Sequence, residues 1–383
     1  MFAGPVFAKG FRPFFVLASA YGLLVMPWWL HIFLGPGEAP GAVQGIHWHA
    51  HAMLHGFTVA VVAGFLLTAV SNWTRQPTAT GPRLAGLAAL WTLGRVGPSA
   101  FTPDVAAAID LAFIPALLAA IVPPLWRAGS RRNAGIPVVL TALWVTNLLV
   151  HLDATQRWPG VAVQANQAAV SLIGVLMLVI GGRIIPLFTR GRTRAEGIRS
   201  LPAFDVLAIG ATATFALLQL LGIGGAPAAA VAGLGAVGVL ARSVHWGLGS
   251  ALRVPMLWIL HAGHAFIALG LLLHAVGPHL GVPPSAATHA ITAGAIGALT
   301  LGMMARVSLG HTGRIIEAGP ATIIAFVAML TAGLTRSLGP ALAPAHYVSW
   351  LWISGLAWTL AWLIFLPVYL PVLTRPRPDG SPG

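Results

Sequence analysis

Apolar residues run through this chain in long blocks, not in the alternating or one-sided patterns of a soluble fold. Twelve blocks can be drawn: 13–34, 48–71, 83–98, 103–126, 135–152, 162–187, 203–222, 227–247, 255–276, 285–309, 318–338 and 346–371. Most are roughly 20 residues long, the length an α-helix needs to cross a bilayer. The third, 83–98, is the shortest. Between blocks the chain turns polar or rich in glycine and proline. The pattern predicts an all-α, polytopic membrane protein of about 12 transmembrane helices, forming a single transmembrane domain over residues 1–383.

Composition agrees. Hydrophobic residues make up 57% of the 383 positions and charged residues only 8%, which no soluble core of this size requires. The net charge of +13 would suggest nucleic acid in a soluble protein, but its distribution argues otherwise. With the N-terminus placed inside, eighteen of the 21 Lys and Arg residues fall in inner segments; Arg157 and Arg336 fall outside and Arg95 lies within the third block. This asymmetry places both termini in the cytoplasm and makes the bilayer, not nucleic acid, the partner of the basic charge. The opening MFAGPVFAKGFRP shows no cleavable-signal pattern. Cysteine is absent, which removes disulfides, thiolate metal sites and covalent haem attachment.

Polar side chains inside a bilayer are costly and ask for a partner or a function. Ten of the fourteen histidines fall towards the outer face, four of them in HWHAHAMLHG (47–56). On a helix, His47, His51 and His55 share one face, while His49 points away from His51. Imidazole suits haem iron and copper. Any single one of them can equally meet interfacial water, but four together, with further outer-layer histidines on other helices, favour a metal or haem site. Arg95 and Asp110 fall where adjacent antiparallel helices would let them form a buried ion pair.

Three blocks end alike: VVAGFLLTAVSNWTR (61–75), VIGGRIIPLFTRGR (179–192) and MMARVSLGHTGR (303–314). They belong to the second, sixth and tenth spans. Aligning Arg183 with Arg306 carries His289 onto Asn166; aligning Gly64 with Gly182 carries Asn166 onto Trp48. This suggests three four-helix repeats, about 1–126, 127–247 and 248–383. The arrangement is similar to the catalytic subunits of haem–copper oxidases, which carry ligands on those same spans. The chain departs from them in having no His-His pair and no histidine on the sixth span.

A closer resemblance covers nearly the whole length. FAKGFRPFF (7–15), WHAHAMLHGF (48–57), GFLLTAVSNWT (64–74), DLAFIPALL (110–118), GGRIIPLFT (181–189), LWILHAGHAFIALGLLL (257–273) and HAITAGAIGALTLGMMARVSLGHTGR (289–314) resemble the NnrS family of haem- and copper-containing membrane proteins of the nitric oxide response. The resemblance carries over His49, His51, His151, His261, His289 and His311, with Arg183 and Arg306. Departures are Ala52, where the family usually has an acid, His55, where it has an aromatic residue, and His264, where it tends to have tyrosine.

The resemblance implies a bacterial inner-membrane protein that binds or detoxifies nitric oxide using non-covalent haem b and copper. It does not choose among reduction to nitrous oxide, removal by binding, and sensing, and it names no electron donor. His51 and His289 are the expected haem ligands, with His151 nearby; His47, His49 and His55 are the copper candidates. His261, with His264, marks an inner second site or a packed core pair. Arg183 and Arg306 either reach lipid headgroups or meet haem propionates. The other readings of such a chain are a secondary transporter and a metallocofactor assembly factor. Against the transporter stands the lack of coupling carboxylates near the midplane.

Overall fold

The computed structural model describes residues 4–381 and contains only helices, with no strand among them. Twelve long helices follow one another: α1 Phe11–Leu34, α2 Gly45–Thr74, α3 Gly81–Ala100, α4 Pro103–Arg127, α5 Gly135–Ala154, α6 Ala162–Thr193, α7 Pro202–Leu220, α8 Gly225–Ser243, α9 Pro255–Val276, α10 Pro284–His311, α11 Pro320–Ser337 and α12 Tyr347–Thr374. All twelve predicted spans are thus helical. Eleven of these segments are long and apolar enough to cross a membrane. The exception, α3, is interrupted by Arg83, Arg95 and glycines 86, 94 and 97. Its predicted counterpart was already the shortest block.

Proline sets many of the helix starts. Pro103, Pro202, Pro255, Pro284 and Pro320 each stand in the first positions of a helix. There the missing N–H costs nothing and the fixed φ favours helix.

The chain gathers into two compact units. One holds the residues through Asn166, Val307–Ile316 and the chain from Phe365; the other holds Gln167–Arg306 and Glu317–Ile364. In the first unit α1 packs on α2 and α4 packs on both α3 and α5; in the second, α8 and α10 both pack on α9.

Helices α2 and α10 share a feature that hydropathy does not show. Directly after His51, residues Ala52–Thr58 widen into a π-helical segment, and directly after His289, Ala290–Ile296 do the same. Each segment contains a glycine pressed against an aromatic ring of the preceding long helix. A Cβ at Gly56 would lie 2.8 Å from Tyr21 Cε1, and one at Gly294 would overlap the Phe266 ring. One turn pair further on, Gly64 admits Phe14 and Phe15, and Gly302 admits Ile259 and Leu260. These small residues let helix backbones approach closely, which is how membrane helices pack without a hydrophobic drive between them.

Candidate functional site

The polar centre of the first unit is built around Asp110, 6% exposed on α4. It comes close to α3 because Gly94 faces it: a Cβ there would lie 3.1 Å from Asp110 Oδ1. The carboxylate is saturated. Its Oδ2 accepts from His51 Nε2 at 3.0 Å, His151 Nε2 at 2.9 Å and Asn147 Nδ2 at 2.9 Å. Its Oδ1 pairs with the Arg95 guanidinium, the ion pair expected from the sequence. Asn147 and His151 stand four residues apart on α5, so one helix face supplies both.

Arg95 is itself held from three sides. Tyr21 accepts a hydrogen bond from it, the Trp91 ring lies 6.0 Å away one turn earlier on α3, and Asp110 neutralises it. Trp91 Nε1 in turn donates to the Gly56 carbonyl at 3.1 Å, tying α3 to the π-helical segment of α2. With both imidazoles neutral and donating from Nε2, carboxylate and guanidinium cancel and the cluster carries no net charge. The same tautomer leaves Nδ1 of each ring as the lone-pair nitrogen.

His55 lies one turn beyond His51, 3% exposed, with its ring centroid 5.6 Å from that of His51. Neither of its ring nitrogens has a hydrogen-bond partner among the described residues. Leaving a buried polar group unsatisfied costs about 1–3 kcal/mol, so His55 is an expensive side chain unless something else engages it. The rings of His51 and His151 lie 5.1 Å apart. Ligand atoms of His51, Asp110 and His151 all lie within 4.8 Å of one another, close enough for one ion. His51, His151, Asp110, Arg95 and Tyr21 line a cavity of about 60 Å³ whose other walls include Trp28, Trp48 and Phe101. That is room for several water-sized molecules.

The structure therefore brings His51, expected as a haem ligand, His151 and the copper candidate His55 together, and leaves the other two copper candidates, His47 and His49, outside this cluster. His47 lies on the helix, not in a loop, and its Nδ1 accepts from Asn166 Nδ2 at 3.1 Å. His49 stacks on Trp29 with centroids 4.5 Å apart and planes 12° from parallel. His49 and His51 thus serve opposite faces of α2, as the spacing predicts. In the second unit, His289 Nδ1 donates to the Ser285 carbonyl at 2.7 Å, which fixes Nε2 as its lone-pair nitrogen. His261 Nε2 donates to Thr189 Oγ1 at 3.0 Å, the hydroxyl being committed to the Ile185 carbonyl. His264 packs on Trp246 at 4.5 Å, and Arg306 lies 3.8 Å over the Phe188 ring.

Sequence reasoning did not single out Asn147, Tyr21 or Trp91. The available signals were the Asn147–His151 and Trp91–Arg95 pairs at helical spacing. A comparison with curated proteins finds no match. A family model, that of the NnrS protein, matches residues 5–377, which includes every residue of the Asp110 cluster, and the chain belongs to the NnrS family.

Proposed function

We propose that this chain is a metal-dependent nitric oxide-binding protein of the bacterial inner membrane, with both termini cytoplasmic. The observation that carries the reading is the Asp110 cluster: two histidines fixed by one carboxylate, with the unpartnered His55 beside them. His51 and His151, with His55 as a third imidazole, are the residues that would hold copper. Nitrogen donors of this kind suit that metal. Asp110 acts as the acceptor that orients the rings, because its lone pairs are committed to three donors and its charge to Arg95.

For haem b the supporting residue is His289, whose Nδ1–H bond to a backbone carbonyl is the usual second interaction of an iron-ligating imidazole. Copper and haem, when bound, supply sites at which nitric oxide can coordinate. The protein's own part is to exclude bulk water, fix the tautomers and offer an apolar, aromatic-walled cavity to a small membrane-soluble gas. A carrier role is disfavoured because Asp110, buried on α4, is paired with Arg95 and is not left to couple proton movement.

The test is an optical spectrum of the detergent-purified protein, oxidised and reduced, with and without nitric oxide, and copper measured on the same sample. His51→Ala and His151→Ala are expected to abolish copper binding, and His289→Ala to remove the Soret band and its shift with nitric oxide. Nitrous oxide formed with dithionite as electron donor would make the removal catalytic. A well-folded protein that takes up neither metal nor haem would overturn the reading.

A further inference from the structure

A second charged centre lies at the other end of the first unit's helices, where the start of α1 meets the end of α12. Arg12, fully buried at the start of α1, donates through Nη1 to the carbonyls of Leu373 and Arg375, each at 2.9 Å. Arg377 donates to the His311 carbonyl at 3.2 Å and grips Asp379 with Nε at 2.9 Å and Nη2 at 2.5 Å. Asp379 in turn presses on the turn after α10: a Cβ at Gly313, whose φ is +71°, would lie 2.8 Å from Asp379 Oδ2. The charge of Arg314 acts on Arg12, and those of Arg12 and Arg377 act on Lys9.

Four cations, Lys9, Arg12, Arg314 and Arg377, thus crowd together with one carboxylate, Asp379. Arg12 and Arg377 are engaged by carbonyls at helix ends, a favourable place for cations. Lys9 has no carboxylate against it among the described residues. Burial, and after it the charges of Arg377 and Arg12, hold its ammonium below the ordinary lysine range. The cluster disfavours its own charge and would gain from an anion.

The position says which anion. Lys9 precedes the first residue of α1 by two, Arg314 follows the last of α10 by three, and Arg377 follows the last of α12 by three. All stand where membrane helices end, at headgroup level. We propose that Lys9 and Arg314, on the frame made by Arg12 and Arg377, bind the phosphate of an anionic phospholipid of the phosphatidylglycerol or cardiolipin class. A zwitterionic headgroup brings its own ammonium and would cancel the attraction. The lipid closes the corner at which the N-terminal lead-in, the turn after α10 and the C-terminal tail come together. This site does not depend on the metal reading.

The experiment uses the full chain in nanodiscs. Native mass spectrometry reads retained lipid, and thermal melting is followed in phosphatidylglycerol and in phosphatidylcholine. Wild type should retain phosphatidylglycerol selectively and melt higher in it. With juxtamembrane cations worth about 1 kcal/mol each at an anionic surface, Lys9→Gln with Arg314→Gln should lower the lipid's apparent affinity on the order of tenfold or more. Arg127→Gln with Arg131→Gln, which removes the same charge from exposed positions, should leave it unchanged. Equal loss in the control pair, or wild type that does not distinguish the two lipids, would overturn the proposal. So would a thermal shift with inorganic phosphate as large as that with the lipid, which would mark a soluble-anion site. The wild-type comparisons decide the matter even where the double variant fails to fold.

Discussion

Replacing Arg95 with glutamine separates two effects that a simple loss of stability would merge. Arg95 and Asp110 have side chains only 6% and 5% exposed. Removing one member of a buried pair strands the other, at a cost of about 3–5 kcal/mol. Asp110 keeps His51, His151 and Asn147 as donors, so the lower end of that range applies. About 3 kcal/mol is still a large share of the roughly 5–15 kcal/mol that holds a typical protein folded. The metal-free Arg95→Gln protein should therefore melt well below wild type. The effect on metal has the opposite sign. With the guanidinium gone, a cation on His51 and His151 loses a repelling neighbour and gains the uncompensated Asp110 charge. Copper should bind Arg95→Gln more tightly than wild type. At a hundredfold excess over its Kd it should return about 2.7 kcal/mol, close to the whole loss. The assay is thermal melting in detergent with and without copper, alongside calorimetric titration. Arg95→Gln with Asp110→Asn, which strands no charge, should recover stability without the gain in affinity. Weaker copper binding by Arg95→Gln, or a metal-free melt equal to wild type, would refute the placement of the ion beside this pair.

Three further outcomes follow from single residues. His55→Phe exchanges a buried, unpartnered imidazole for an apolar ring; metal-free stability should hold or rise while copper affinity falls, and unchanged affinity would remove His55 from the donor set. Gly56→Ala places a Cβ 2.8 Å from Tyr21 and 2.9 Å from Arg95 Nη1; overpacking of this kind costs about 1–3 kcal/mol, and the displaced guanidinium should also alter copper affinity, read by the same melt and titration. Asp379 is held well below the usual carboxylate range by Arg377 and then by the Ser381 amide. A depressed carboxyl stabilises the tail fully above its unfolded pKa of about 4 and progressively less as pH falls through the folded value. Since the chain has no cysteine, a spin label on Ser381→Cys should report an ordered tail at neutral pH and release on acidification, with no acid step in Asp379→Asn.

The helices were legible because lipid demands apolar runs of fixed length, and that demand is written into consecutive residues. Even the weak member, α3, was visible as a short block interrupted by arginines. The Arg95–Asp110 pair was legible for the same reason: two charges in adjacent antiparallel spans have few other places to go. The convergence of His51, His151 and Asn147 on Asp110 was not. It depends on how α2, α4 and α5 are rotated about their axes, and these helices are apolar on every side, so hydropathy carries no rotational signal. His47 and His51 look equivalent in a one-letter row. They diverge because Asn166 takes one and Asp110 the other.

The repeat shows where pattern matching on such helices loses its footing, and what replaces it. Aligning helix ends through Arg183 and through Gly182 set His289 opposite Trp48, three residues from His51. Glycines and alanines recur every three or four positions on close-packed helices, so a slip of nearly one turn leaves most matches intact. Structure supplies markers that do not slip. A π-helical segment inserts a local change of pitch, and it starts at the residue after His51 and at the residue after His289. In that register Gly56 falls on Gly294 and Gly64 on Gly302, and each glycine of a pair admits a bulky side chain from the preceding long helix. The wide turn is costly in regular helix geometry and tends to persist where a site requires it. In α2 it carries the Gly56 carbonyl to Trp91 and so braces Arg95 and Asp110. No such segment interrupts α6. The likeness thus joins α2 and α10, the two helices that carry His51 and His289, and it rests on backbone geometry that their side chains alone do not disclose.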